Sequence, residues 1–257
     1  VGGLIAKFAI PAIISMLVSA MYNIVDQIFI GQGVGMLGNA ATNVAFPVTT
    51  IATALALLLG IGGASNYNLE MGAGQEKKAS GIAGTALSSL VISGLILAVI
   101  ALVFLKPLLT LFGATTDVMP YAVDYTGITA LGLPFYILSV GGNHVVRADR
   151  SPTYSMTCIM IGAIINTILD PVFIFVFGWG IKGAAWATVI GQVVSGVLVI
   201  VYFWKFRNMY LTGAMLKPKM PYLKAIISLG LASCINQIAM AICLLYTSPS
   251  PRDRTRS

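Results

Sequence analysis

Two carboxylates stand where a carboxylate is costly to keep. Of eight acidic residues, Asp26 and Asp170 fall inside long apolar runs. Near the centre of a membrane helix each would cost about 2.5–3.5 kcal/mol on insertion scales, and such a residue is functional by default. Ser15, Ser19, Tyr22, Asn23 and Asp26 recur at spacings of three and four, which predicts one polar stripe on a helix. Asn166 and Asp170 are four apart and share a helical face. Pro171 follows directly and, lacking an amide hydrogen, leaves the Thr167 carbonyl without its helical partner. Carboxylates, an amide and spare carbonyl or hydroxyl oxygens are hard ligands, suited to Na⁺ or a proton and not to a transition metal. Helix cross-linking by hydrogen bonds is the alternative reading. It suffices for Asn166 or Ser19 alone, and for two aspartates it is the weaker of the two readings. Asp124 is a third candidate, one turn from a loop.

The elements that position these groups are set by composition. The chain has 257 residues, 58% hydrophobic and 9% charged, and its mean hydropathy is +0.92. A soluble domain carries roughly 25% charged residues. A chain this apolar must present its outer surface to lipid. Runs long enough to span a bilayer lie near 4–30, 41–66, 80–105, 120–146, 153–178, 183–206 and 223–245. None alternates with period 2, which argues against a transmembrane barrel. The expected fold class is an all-α, polytopic integral membrane helix bundle.

Orientation follows from the cations. With the N-terminus in the cytoplasm, ten Lys and Arg fall on the cytoplasmic side, Lys77, Lys78, Arg147 and Arg150 among them; Lys106 and Lys182 fall outside. The net charge of +7 is therefore read as a topology signal and not as a nucleic-acid surface. A multi-pass protein of the plasma (inner) membrane with a cytoplasmic N-terminus is expected. After Cys243 the composition turns abruptly polar and basic, and residues 243–257 resemble translated sequencing-adapter read-through. Because the chain starts at Val1 without a methionine, a truncated start is expected as well.

Other features point to packing. Ala52, Ala56, Gly60 and Ala64, and likewise Gly183, Ala187, Gly191 and Ser195, place small residues on one helical face, which lets membrane helices approach closely. Pro11, Pro47, Pro134 and Pro171 interrupt spans, and Pro11, fifteen residues before Asp26, and Pro171, directly after Asp170, are expected helix kinks. The Gly-rich pieces at 31–35 and 60–63 lack the strand and the Lys-Ser/Thr ending of a phosphate loop. Cys158, Cys234 and Cys243 have no metal or disulfide spacing. The one histidine, His144, lies at a helix end and is read as a boundary residue.

The run Phe8-Ala-Ile-Pro11-Ala-Ile-Ile-Ser15 followed by Asp26, and the run Asn166-Thr-Ile-Leu-Asp170-Pro171-Val-Phe-Ile-Phe175, resemble motifs of the multidrug and toxic compound extrusion (MATE) transporters. Met71-Gly-Ala-Gly74 and Arg147-Ala-Asp-Arg-Ser-Pro152 fit as well, and the resemblance covers about residues 4–242. It implies a six-helix N-terminal lobe over 1–206, a cytoplasmic inter-lobe loop over 207–222 and a seventh helix over 223–242, with the C-terminal lobe missing. It also implies a cation site of Asp26, Asn166, Asp170 and Thr188, with Tyr125 as a further partner. The implied activity is antiport of amphipathic or cationic drugs, as small-molecule substrates, against H⁺ or Na⁺, without a cofactor. The implied partners are those substrates and the lipid bilayer, and a fragment of this extent is expected to be inactive alone. The rival readings are a lipid-linked oligosaccharide flippase, which needs a cationic cavity, and an intramembrane enzyme, which needs an acidic metal motif or a catalytic pairing that these spans do not display.

Overall fold

The computed structural model describes residues 2–204 and 216–247, almost all of them helical. Eight α-helices follow in order: α1 (Gly2–Gly33), α2 (Met36–Gly72), α3 (Glu76–Val103), the short α4 (Leu105–Leu111), α5 (Met119–Ala148), α6 (Pro152–Pro171), α7 (Ile181–Trp204) and α8 (Met220–Thr247). A π-helical turn, Val172–Val176, continues α6 beyond its proline. Seven helices are long and apolar enough to cross a membrane, which fits the all-α bundle expected from composition. The spans lie where hydropathy placed them, and α2 extends several residues further at both ends. The apolar run to residue 105 breaks at Phe104, and α4 follows it, a boundary that hydropathy does not mark. Helix α8 continues to Thr247; residues 205–215, the end of the sixth expected span and the first part of the expected inter-lobe loop, and 248–257, within the atypical tail, lie outside the described residues.

Helix α5 is the centre of the bundle. It packs against α2, α3 and α7, while α1 lies mainly on α6, and α8 crosses α2 and α3. Large apolar side chains such as Ile96, Val99 and Val103 on α3 are exposed. Surfaces of that kind face lipid, so helix association rests on close packing and not on water exclusion. The small-residue stripes supply that packing. Ala52 and Ala56 are fully buried, and a Cβ added at Gly60 would lie 2.5 Å from the Gly141 Cα across the α2–α5 contact. Gly62 and Gly230 let α8 touch the α2 backbone directly at Ile226 and Leu58, and Asn66 Nδ2 donates to the Ala225 carbonyl at 3.0 Å.

The α5–α6 loop is pinned from inside. Asp149, 1% exposed, accepts hydrogen bonds from the Tyr67 hydroxyl at 2.8 Å and the Tyr202 hydroxyl at 2.7 Å. One loop thereby ties α2, α5, α6 and α7 together. Its next residue, Arg150, adopts φ 59°, a left-handed conformation that L side chains seldom take.

The α2–α5 contact generates a prediction. Gly60→Val should destabilise the fold by about 1–3 kcal/mol, the cost of overpacking, seen as a lowered melting temperature in detergent. Gly72→Val, where an added Cβ meets nothing within 4 Å, should change it far less.

Candidate functional site

Four helices converge on the two aspartates. Helices α1 and α6 run toward one end of the bundle and carry Asp26 and Asp170 near their C-termini; α5 and α7 run away from that end and carry Tyr125 and Thr188 near their N-termini. All four residues thus reach one depth. The α6–α7 pair is drawn together by glycine. A Cβ at Gly162 would lie 2.9 Å from the Gly191 carbonyl oxygen, and one at Gly191 2.8 Å from that of Gly162. One turn further on, that closeness sets Asn166 and Asp170 beside α7.

The carboxyls of Asp26 and Asp170 lie within hydrogen-bonding reach of each other. Asp170 is fully buried, Asn166 is 3% exposed and Asp26 7%. Asn166 Nδ2 donates to Asp170 Oδ1 at 3.3 Å. The Tyr125 side chain is hydrogen-bonded to Thr188 and lies within electrostatic reach of both aspartates. Three buried oxygens, Asp26 Oδ1, Asn166 Oδ1 and Asp170 Oδ2, have no hydrogen-bond donor among the described residues. Buried acceptors without donors are strongly disfavoured. A proton shared by the carboxyls, or a hard cation among the three oxygens, would satisfy them. No cluster of three or more His, Cys, Asp or Glu gathers among the described residues.

The site is capped at its near end. Beyond Pro171 the backbone loosens into the π turn, with Phe177 N donating to the Val172 carbonyl at 2.9 Å, and π turns of this kind recur at functional sites. The turn lays Ile174, 4% exposed, against Gly33 at the end of α1. Phe173, Phe177 and Trp179 stack behind it with ring centroids 5.2–5.7 Å apart. Gly178 and Gly180, at φ 66° and 54°, allow the chain to reverse there into α7. Ile30, Tyr125, Ile174 and Ile181 form an apolar layer over the aspartates.

Two chambers open on the other side. One of about 430 Å³ is bounded by Asp26, Tyr125 and Thr188, with Gln237 of α8 on its far wall. The second, about 190 Å³, runs between α1, α5, α6 and α7 and includes Asn166. They share Tyr22, Tyr136, Thr188 and Gln192.

The structure brings together Asp26, Asn166, Asp170, Thr188 and Tyr125. Asn23 also lines the Asp26 chamber, though it is exposed and donates to the Ser19 carbonyl at 2.6 Å. Other residues stand apart. Ser15 is buried but donates to the Pro11 carbonyl at 2.7 Å, so it serves the proline turn of α1. Asp124 forms a surface ion pair with Lys182 at 3.3 Å and takes no part. Tyr136, bonded to Thr53 at 2.8 Å, and Gln192, whose Oε1 is buried without a donor, escaped the sequence reading. The signal was present: Gln192 lies four residues after Thr188, and Tyr136 eleven after Tyr125, each on the site-facing side of its helix.

Fold and site together define a polytopic membrane helix bundle that encloses a pair of carboxylates. The comparisons with known proteins narrow that class. The MatE family model matches residues 11–172. The multidrug export protein MepA of Staphylococcus haemolyticus is 28% identical over 236 residues, covering 91% of this chain and 52% of that protein. Among solved structures, an outward-facing multidrug resistance MATE family transporter matches with a TM-score of 0.85 at 28% identity, over 94% of this chain and 54% of the other. A MATE structure in a bent conformation matches with a TM-score of 0.85 at 29% identity, with the same shares of the two chains. This chain belongs to the MatE family. It spans about half the length of the relatives it matches, as expected of the N-terminal half.

Asp170→Asn tests whether the pair is held for structure. The amide keeps an oxygen for Asn166 Nδ2 and removes one ionisable group, so stability should be unchanged to within about 1 kcal/mol or raised. A thermal unfolding assay in detergent measures this. Asp170→Leu, which strands the Asn166 amide, should destabilise by about 1–3 kcal/mol.

Proposed function

We propose that this chain is the N-terminal lobe, with the seventh helix, of a secondary antiporter that exports amphipathic or cationic drugs in exchange for H⁺ or Na⁺. The observation that carries the reading is the enclosed Asp26–Asp170 pair with its three undonated oxygens, on a fold shared with MATE transporters. Binding of the ion neutralises part of the pair's charge and removes part of its burial cost. Helix α1 is the element free to respond, because it is held mainly by α6 and touches α2 and α7 little. Tyr22, on the inner side of α1, faces both chambers, so a shift of α1 couples the ion site to the space where drug binds.

The drug compartment is the larger chamber, whose walls combine Phe46, Tyr136 and Gln237 with hydroxyls and amides. Its other half belongs to a C-terminal lobe, which accords with the half-length match to MepA. Drug and ion must favour opposite conformations, since a ligand shifts an equilibrium only by its differential affinity for the two states. Ten Lys and Arg against two supports the N-terminus in the cytoplasm. Among the described residues, Arg147 is the only Lys or Arg bounding the two chambers, which gives the pyrophosphate-binding flippase reading no support.

The test is efflux of a fluorescent cationic dye from cells expressing the full-length transporter. Asp170→Asn at matched expression should lower gradient-driven efflux roughly 5–150-fold, the range of a coupling energy of about 1–3 kcal/mol. Efflux at the parental rate would remove Asp170 from coupling.

A further inference from the structure

A row of polar groups runs away from the carboxyl pair inside the lobe. On α5, Tyr136, Ser139, Asn143, His144 and Arg147 bound the 190 Å³ chamber. Their spacings of three, four, one and three keep them on one helical face. From Tyr136 to Arg147 that face covers about 16 Å at 1.5 Å per residue. The chamber meets the Asp26 chamber at Tyr22, Tyr136, Thr188 and Gln192. At its other end it meets a third space of about 400 Å³, sharing His144 and Arg147 and reaching Arg150 and Asn68. Asp26 is thereby linked through adjoining spaces to the end of the bundle where the α5–α6 loop lies.

The walls suit hydration. Asn143 Oδ1 and Gln192 Oε1 are buried acceptors without protein donors. The Ser139 and Ser195 hydroxyls are bonded across the chamber at 2.7 Å. A volume of 190 Å³ accommodates several waters at about 30 Å³ each. Half-buried His144 stands where this chamber joins the third space. Beside it, Arg147 Nε donates to Ser155 Oγ at 3.0 Å, and no carboxylate forms an ion pair with it among the described residues. The groups facing His144 from the neighbouring helices are otherwise neutral polar ones: Ser19 and Tyr22 on α1, Ser65 and Asn68 on α2, Asn166 on α6, Gln192 and Ser195 on α7, with Arg150 at the mouth.

We infer that this file is an intra-lobe proton route between the carboxyl pair and the cytoplasmic mouth, with His144 as its relay and Arg147 as its barrier to metal cations. The inference rests on the antiport reading above and names its ion. A proton leaving the Asp26–Asp170 pair passes along the hydrated polar face to one nitrogen of His144. The other nitrogen gives up its own proton to water at the mouth, and the imidazole returns to neutrality. Na⁺ cannot pass by such exchange, and it would have to cross beside the fixed guanidinium charge.

The test uses the full-length transporter in proteoliposomes with ethidium as the transported dye. A proton gradient should drive ethidium movement in the unmodified protein, and a sodium gradient alone should not. His144→Ala should slow proton-driven movement about tenfold or more, leave ethidium affinity unchanged, and regain part of the rate when imidazole is added. Parental rates in His144→Ala overturn the relay, as does a slowed rate that imidazole leaves unmoved. Sodium-driven transport by the unmodified protein overturns the route without reliance on any variant. Asp170→Asn, run alongside, separates the two readings. If it retains the proton drive, the antiport reading fails; if it loses the drive while His144→Ala keeps it, only the intra-lobe route fails.

Discussion

The structure depends on one constraint: two carboxyl groups within hydrocarbon thickness must be enclosed by protein and offered a partner. Asp26 and Asp170 meet it by facing each other at the junction of four helices. That junction sets requirements elsewhere. Helices α6 and α7 must touch through Gly162 and Gly191, because larger residues would hold Asp170 away from α7. The proline after Asp170 must be followed by a backbone that still bonds internally, and the π turn provides it. Phe173, Phe177 and Trp179 pack on one another beyond that turn. The site that results retains three buried oxygens without donors among the described residues, the observation on which the proposed ion site rests.

The helices are held with unequal strength, and the inequality has functional meaning. Helix α5 sits at the centre and α2 is clamped by glycine contacts to α5 and α8. Helix α1 has only 17% of its apolar window buried, against 50% for α2 and α5. One aspartate therefore rides on a loosely held element and the other on the firm α6–α7 pair. A change in the pair's charge acts across that seam.

Much of the fold was legible in the sequence because a bilayer demands helices of a fixed length, and hydropathy reports that length directly. The aspartates were legible because their burial is anomalous. Small-residue stripes announced close contacts, though not which helices meet. What could not be read were facts of three-dimensional placement. Asp149 sits in a polar loop segment, yet it is buried under Tyr67 and Tyr202; nothing local distinguishes it from the exposed Arg150 beside it. Asn23 fits the stripe by spacing and lines the Asp26 chamber, yet it stays exposed because the stripe is wider than the face α1 buries. His144 read as a boundary residue, and only the chambers on either side of it reveal that it stands between them. Tyr136 and Gln192 join the site because α5 and α7 run antiparallel to α1 and α6, a relation that no single helix encodes.

The central claim is that drug and ion compete through the Asp26–Asp170 pair. The most direct measurement is proton release on drug binding. Ethidium is added to the purified full-length transporter in weakly buffered detergent solution containing a pH indicator. The account predicts release of about one proton per bound dye, since the two ligands favour opposite states, and no release from the Asp26→Asn, Asp170→Asn double variant when it still binds dye. Undiminished proton release from that double variant would contradict the account.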